Sequence, residues 1–431
     1  MNIIELLKPS DKIALIQGNK QITYAELLER GLRYGEKLKR KGIGAGKCVR
    51  LFKPMSIELY IALIGIWSIG AVPAFSWSRL KVDKLEPIDD ETPAILTCTS
   101  GSTGVPKTAV RTHEFLIRQY NVLCKHLDFD ENHIDFGTLP IFTLANLAAG
   151  MTTILPNKSY RGIKLPNNLD KITRAICSPA TFQRMMEKSD LPNLRQVYLG
   201  GAPVYPSLLE KIRKDIDVYV VYGSTEAEPI AKVKWNDVSA EDKAKIAHGA
   251  GLLVGEIVPQ IKLEIADDNE IIISGDTVLK GYYGGVGDSE NKIREGDKVW
   301  HRTGDAGYID EQGRLWLTGR VSHFIKLDCS PSSESAEPAT GKFPGCPFGH
   351  ATNGTLSPFS IECVLDTHFG IRGAVLLHNG KRTVVIDKDI DAAEVLKPFG
   401  IEQVIKVKKL PMDKRHNAKI DYVKLRRKLN I

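Results

Sequence analysis

Short apolar runs alternating with helix-length amphipathic stretches limit this chain's folds more than any other feature. Thr23 opens a helical pattern, TYAELLERGLRYGEKLKRKG, in which Glu26 completes a capping box and Gly42 ends the helix. A strand at Cys48–Phe52, a helix at Ser56–Ile69 and a strand at Val72–Phe75 follow. The alternation continues with a strand at Ala94–Thr97, a helix at Thr112–His126 and a strand at Thr152–Leu155. Then come a helix at Ala180–Lys188, a strand at Gln196–Leu199, a helix at Pro206–Lys214 and a strand at Val218–Val221. Strands separated by helices pair in parallel, because the crossover needs a helix's length and the helix then covers one sheet face. From Val254 the pattern turns β-rich, with strands near Lys262–Ile265, Glu270–Ser274 and Leu315–Thr318. A fresh α/β set follows, including Ser360–His368, Ala374–His378 and Thr383–Ile386. The expected fold is α/β. A large N-terminal domain (1–320) has parallel sheets flanked by helices plus a β-rich subdomain, and a small α/β C-terminal domain (321–431) follows.

A chain of 431 residues, 42% hydrophobic and 26% charged, has enough apolar residues for large cores without metal or disulfide staples. Its net charge of +7 is spread along the sequence. That suits an anionic substrate such as a nucleotide and argues against a nucleic-acid binder, which concentrates its basic residues. Seven scattered cysteines with no CxxC pair point to free thiols in a reducing cytoplasm. Lys8, Asp11 and Lys12 interrupt any signal-peptide core. The apolar stretch Ile61–Trp77 reads as a buried helix entering a buried strand, not as a membrane span. Residues 328–354, rich in Ser, Pro and Gly, read as a long irregular loop. Cys329, Cys346 and His350 within it lack the close ligand pair of a zinc site.

Four segments carry chemistry. Thr97-Cys98-Thr99-Ser100-Gly101-Ser102-Thr103-Gly104-Val105-Pro106-Lys107 follows a strand and crowds hydroxyls and amides into one turn. Such a turn can converge donors on a polyphosphate, with Lys107 adding a charge, although its spacing is not that of a Walker A loop. Tyr222-Gly223-Ser224-Thr225-Glu226 offers a ring for a base, a hydroxyl for a phosphate and a carboxylate for Mg²⁺. His301-Arg302-Thr303-Gly304-Asp305, with Thr318-Gly319-Arg320 beyond a hairpin, offers a carboxylate and a guanidinium for a ribose. Near the end lies Leu410-Pro411-Met412-Asp413-Lys414-Arg415-His416-Asn417-Ala418-Lys419. Read singly, each has a plain structural alternative: a surface loop, a helix start, a hairpin and a solvated lysine.

In this order the four resemble the adenylate-forming superfamily of acyl-CoA synthetases, luciferases and peptide-synthetase adenylation domains. The resemblance implies ATP and Mg²⁺ as cofactors. It assigns Thr99, Ser100, Gly101, Ser102, Thr103, Gly104 and Lys107 to the ATP phosphates. Tyr222 would stack on adenine with Gly201, Ala202 and Gly223 beside it, and Thr225 would meet the α-phosphate. Glu226 would bind the metal, Asp305 and Arg320 would hold the ribose, and Lys419 would bridge carboxylate and α-phosphate. Lys419, Glu226 and Lys107 are then the catalytic set, and Phe142, Asn146 and Gly200 border the acid. The resemblance also implies a mobile C-terminal domain turning about Ser322, where the family usually has Asp or Lys.

The segments Leu139–Asn146, Gly200–Val204, Tyr222–Ile230, His301–His323 and Arg415–Ile420 look like the β-lactone synthetase branch of bacterial olefin biosynthesis. That branch implies adenylation of a 3-hydroxy acid, followed by attack of its own hydroxyl to close a β-lactone and release AMP. The alternative is transfer of the acyl group to CoA or to an acyl-carrier protein. The acid-partnered reading requires a small-molecule carboxylic acid and neither nucleic acid nor a membrane span. A non-catalytic nucleotide sensor is the rival from another class, and retention of Lys107, Glu226 and Lys419 together argues against it.

Overall fold

The computed structural model describes residues 2–75, 82–88, 91–99, 107–159, 162–326, 355–412 and 420–431. The expected capping box is present: Thr23 accepts from the Glu26 amide and Glu26 accepts from the Thr23 amide, starting helix α1 (Tyr24–Lys39). Helix α2 (Ile57–Ser68) is buried almost all round and runs into the strand Val72–Phe75, which explains the apolar stretch without a membrane. Among the described residues, no helix is long and apolar enough to cross one.

Helix α3 (His113–His126) leads into the parallel strands of the main sheet, and helix α4 (Pro140–Ala148) connects two of them. Four of these, Ile134–Gly137, Arg174–Cys177, Gln196–Gly200 and Asp217–Tyr222, are neighbours in parallel register. Thr152–Ile154 and then Ile13–Gln17 extend the parallel run at the other side of Ile134–Gly137. The strand Ala231–Lys234 turns antiparallel on Asp217–Tyr222 and leads into the β-rich part. Parallel core and β-rich part therefore form one 14-stranded hydrogen-bonded sheet. One large core runs beneath both, from Phe136 through Val197 and Val220 to Ile271 and Trp316.

A second sheet pairs Cys48–Arg50, Val72–Phe75 and Pro93–Thr99 in parallel. Its last member departs from expectation. Lys107–Thr112 is a strand lying antiparallel on Pro93–Thr99, with Thr99 opposite Lys107. The hydroxyl-rich segment 100–106 thus joins two strands of a hairpin, and its own residues lie outside those described. A second correction concerns Pro206–Lys214, where only Pro206–Leu209 is helical. The Ser207 amide and hydroxyl bind Asp366 across the molecule at 2.9 and 2.6 Å. That contact fixes one turn, and four residues are too few to hold a helix by propensity.

The C-terminal part has a three-stranded sheet of Gly373–His378, Lys381–Ile386 and Gln403–Lys406. The short strands Ile325–Lys326 and Thr355–Leu356 pair antiparallel, so the ends of the 327–354 segment lie side by side. That segment, with Cys329, Cys346 and His350, lies outside the described residues, as does 413–419 with Lys419. The helix Pro358–Phe369 has a foot in each core: Cys363 belongs to the large cluster, Ile361 and Leu365 to the small one. It approaches so closely that a Cβ on Gly319, whose φ is +123°, would lie 2.7 Å from Phe359 Cβ. Only glycine fits there. Ser322 sits exposed in the single turn Val321–His323.

Candidate active site

Motif residues from several strands of the main sheet meet at one cavity of about 180 Å³. Gly201, Ala202, Tyr222, Gly223, Asp305 and Arg320 all line it. Its far side comes from the C-terminal part, including Phe359, Glu362, Arg372 and Tyr422. Ile420, the residue after Lys419, lines it as well. The backbone bridge between Met412 and Ile420 holds the two ends of the 413–419 segment together there.

Tyr222 ends the strand Asp217–Tyr222, and its hydroxyl donates to Asp305 Oδ2 at 2.9 Å. Arg320 Nη1 donates to Asp305 Oδ1 at 2.7 Å and to the Thr303 carbonyl at 3.0 Å. Gly304 has φ +71°, and a Cβ there would lie 2.7 Å from Arg320 Nη2, so glycine keeps the guanidinium in place. Burial and the Asp305 carboxylate push the Tyr222 phenol well up, keeping it a neutral donor. The triad holds a carboxylate, a cation and a ring at one wall, which is what a nucleoside needs.

Ser224 Oγ accepts from the amides of Glu226 and Ala227 at 3.1 and 3.3 Å, fixing the turn that presents Thr225 and Glu226. Arg111, buried in the strand Lys107–Thr112, donates to the Thr225 carbonyl at 2.6 Å. Tyr282 donates to Glu226 Oε1 at 2.7 Å. Two lysines flank the Tyr282 ring, with Lys107 Nζ and Lys292 Nζ 5.5 and 5.4 Å from its centre. Burial works to raise Glu226, but His301, Tyr282 and Lys292 together hold it below the ordinary carboxylate range. Burial lowers Lys292 to about 8, against the pull of Glu226, and burial with Lys292 lowers His301 to about 4. Burial raises Glu228 to about 7, opposed by Arg111.

Among the described residues, no three His, Cys, Asp or Glu side chains converge as a metal cage. A single ionised carboxylate, Glu226, fits Mg²⁺, which takes one or two protein carboxylates with phosphate and water completing its shell.

Of the remaining expected residues, Lys107 is buried beside this cluster, and Gly200 ends the strand that precedes Gly201. The side chain of Thr99 and all of Ser100, Gly101, Ser102, Thr103, Gly104 and Lys419 lie outside the described residues. Phe142 and Asn146 do not line the 180 Å³ cavity. Phe142 packs with Val221, which does line it. Asn146 is fully buried and donates to Asp135 Oδ2 at 2.6 Å. Tyr282, Lys292, Arg111 and Glu228 were not singled out from the sequence. They come from outside the four motifs or from just past one, and no spacing rule marks them.

The model of the AMP-binding enzyme family matches residues 6–86 and 73–283. The chain is 30% identical over 381 residues to an olefin beta-lactone synthetase of Xanthomonas campestris, covering 78% of this chain and 66% of that protein. An olefin beta-lactone synthetase of Stenotrophomonas maltophilia is 28% identical over 385 residues, covering 79% and 68%. The chain thus spans about two thirds of the length of these relatives. Among solved structures, an anthranilate CoA ligase in complex with anthranoyl-AMP superposes with a TM-score of 0.76 at 16% identity, covering 100% of this chain and 97% of that one.

Proposed function

This chain belongs to the AMP-binding enzyme family, and on that premise we propose that it activates a carboxylic acid as an acyl adenylate with ATP. Pyrophosphate leaves, and the substrate's own 3-hydroxyl then attacks the acyl carbon to give a β-lactone and AMP. The observation that carries the first step is the meeting of Tyr222, Asp305, Arg320 and Ile420 at one cavity. Ile420 adjoins Lys419 in the sequence, which supports that lysine as the cation at the reacting carboxylate. The β-lactone step rests on the two relatives of that name.

A carboxylate is a weak nucleophile, repelled by the charge of ATP. Adenylation therefore needs cations where charge develops, plus alignment of the reacting atoms. Tyr222 and the Asp305–Arg320 pair bind and orient the nucleoside. Glu226 would hold Mg²⁺, which supplies charge neutralisation at the phosphates when bound. Lys107 adds positive charge on the pyrophosphate side, and Lys419 offsets charge on the α-phosphate and carboxylate. In the second step the acceptor oxygen belongs to the same molecule, so its high effective concentration takes the place of a second substrate.

The deciding experiment incubates the protein with Mg·ATP and a panel of 3-hydroxy acids, with and without CoA, and identifies products by mass spectrometry and NMR. AMP with a CoA-independent product one water lighter than the acid, carrying lactone ring signals, is the expected result. An acyl-CoA formed only when CoA is present would replace the lactone step with thioester formation, the activity named for the solved ligase of similar fold. Lys419→Ala is expected to keep ATP binding and to lower adenylation by about 100-fold or more. Full activity in that variant would sink the mechanism.

A further inference from the structure

Counted by region, the net charge of +7 is not spread along the chain, contrary to expectation. Residues 402–431 hold ten Lys and Arg against three Asp and Glu, and residues 1–401 carry equal numbers of each sign. The helix Tyr422–Leu429 is the centre of this excess. Its Leu425 and Leu429 pack with Ile405, Val407 and Leu410, which turns the rest of the helix outward. Lys424, Arg426, Arg427 and Lys428 are exposed there, as are Lys408 and Lys409. Lys428 Nζ donates to the Lys409 carbonyl at 2.8 Å, so the two groups form one patch. Lys424 is paired with Asp421. Lys408, Lys409, Arg426, Arg427 and Lys428 form no ion pair among the described residues. Cations gathered in this way repel one another, and an anionic surface relieves that repulsion.

Three kinds of anionic surface carry the right charge, and the side chain between the cations separates them. Val423 shares a helix face with Arg426 and Arg427 and is 62% exposed, the most exposed large apolar side chain among the described residues. A folded protein partner needs an apolar centre with aromatic or aliphatic anchors. The outward side of this helix offers one valine and no aromatic ring. A nucleic-acid backbone gains nothing from that valine. The headgroup layer of a bilayer takes both features, because it supplies charge without a fixed shape and buries aliphatic groups at its boundary.

We propose that the patch of Lys408, Lys409, Arg426, Arg427 and Lys428 docks this chain on an anionic lipid surface, with Val423 entering the headgroup layer. Residues 1–401 have no net charge, so the attraction has a preferred orientation. Tyr422, one helical turn before Arg426, lines the 180 Å³ cavity, as does Ile420. A docked molecule therefore holds that cavity close to the lipid boundary, where acids with apolar tails concentrate. The docking itself does not depend on the reaction proposed above.

The test is co-sedimentation of the full chain with vesicles of phosphatidylcholine alone and of phosphatidylcholine with about 30% phosphatidylglycerol. Binding to the anionic vesicles alone at about 0.1 M salt, lost at about 0.5 M, is expected. Arg426→Gln combined with Arg427→Gln is expected to lower the partition coefficient about 10-fold or more. Val423→Ser is expected to lower it about threefold without changing the salt dependence. Melting curves establish that the variants are folded. Equal binding to both kinds of vesicle, or binding to neither, would overturn the proposal. So would binding to anionic vesicles that the double variant leaves unchanged. Duplex oligonucleotide and polyglutamate, titrated separately at equal charge concentration and salt, test the other occupants. Tighter binding to either than to the anionic vesicles would overturn the proposal and assign the patch to nucleic acid or to an acidic protein segment.

Discussion

Asp135 and Glu226 are both carboxylates beside the main sheet, and their surroundings are built in opposite ways. Asp135 is fully buried and ringed by protein donors. Arg174 Nη1 reaches it at 2.8 Å, Asn146 Nδ2 at 2.6 Å and the Phe136 amide at 2.9 Å. Arg174 is closed in turn by the Leu127 carbonyl at 2.6 Å and by the Phe129 ring, 4.4 Å away. Glu226 has one side-chain donor among the described residues, Tyr282, with cations nearby that do not bond it. Burial leaves Asp135 raised despite Arg174, whereas Glu226 is held low. A closed ring of partners leaves no room for a ligand and serves the fold. An ionised carboxylate with open coordination is a place where a metal and phosphates can complete the shell.

Breaking the closed ring is expected to do the most damage. Arg174→Met leaves Asp135 buried without its cation, a loss of about 3–5 kcal/mol, read as a large fall in melting temperature or as insoluble protein. A near-wild-type melt would mean that the ring is not what holds these strands. Next in size is Glu226→Gln, which is expected to cut pyrophosphate exchange about 100-fold while leaving the melt unchanged. A large loss of stability instead would place Glu226 in the same class as Asp135.

The seam between the large core and the C-terminal part sharpens the comparison through pH. Tyr205 and Tyr422 donate to Glu362 at 3.1 and 2.6 Å, and Ser207 binds Asp366. Burial raises both carboxyls above their ordinary range. The docked form therefore keeps protons that the undocked form gives up. Docking is firmest below the ordinary carboxylate range and weakens as pH rises through the raised values. Hydrogen exchange in the helix Pro358–Phe369, measured between pH 4 and 8 and corrected for intrinsic rates, is expected to show protection falling with pH. Glu362→Gln should flatten that dependence, and an unaltered slope would move its origin elsewhere. The smallest expected effect is that of Tyr222→Phe, which removes one hydroxyl from Asp305 and should raise the KM for ATP roughly fivefold, about 1 kcal/mol.

Local features were legible. The Thr23–Glu26 capping box, the buried α2 and the strand at Glu270–Ser274 stand where residue pattern and caps put them. Tyr222 and Arg320 end their strands, and Asp305 lies within Lys298–Ile309 directly opposite Arg320 in the antiparallel pair, so the backbone register brings these motif residues together. Lys107–Thr112 was missed as a strand because six residues carry little pattern of their own. Its pairing with Pro93–Thr99 decides it, a tertiary effect that outweighs weak propensity. The resemblance of Leu139–Asn146 puts Asn146 beside the acid. In the structure its side-chain amide is buried and donates to Asp135 and Thr153, at 2.6 and 3.2 Å, contacts that no local pattern marks.

What the sequence determined alone was whatever depends on neighbours within a few residues: helix starts, alternating strands and the order of four motifs. What the tertiary structure decided was which carboxylates are closed and which stay open. Asp135 meets Arg174 across 39 residues, Glu226 meets Tyr282 across 56, Asp305 meets Tyr222 across 83 and Glu362 meets Tyr205 across 157. Burial and pairing set the charge and the free valence of each group. No local pattern encodes partners brought from such distances.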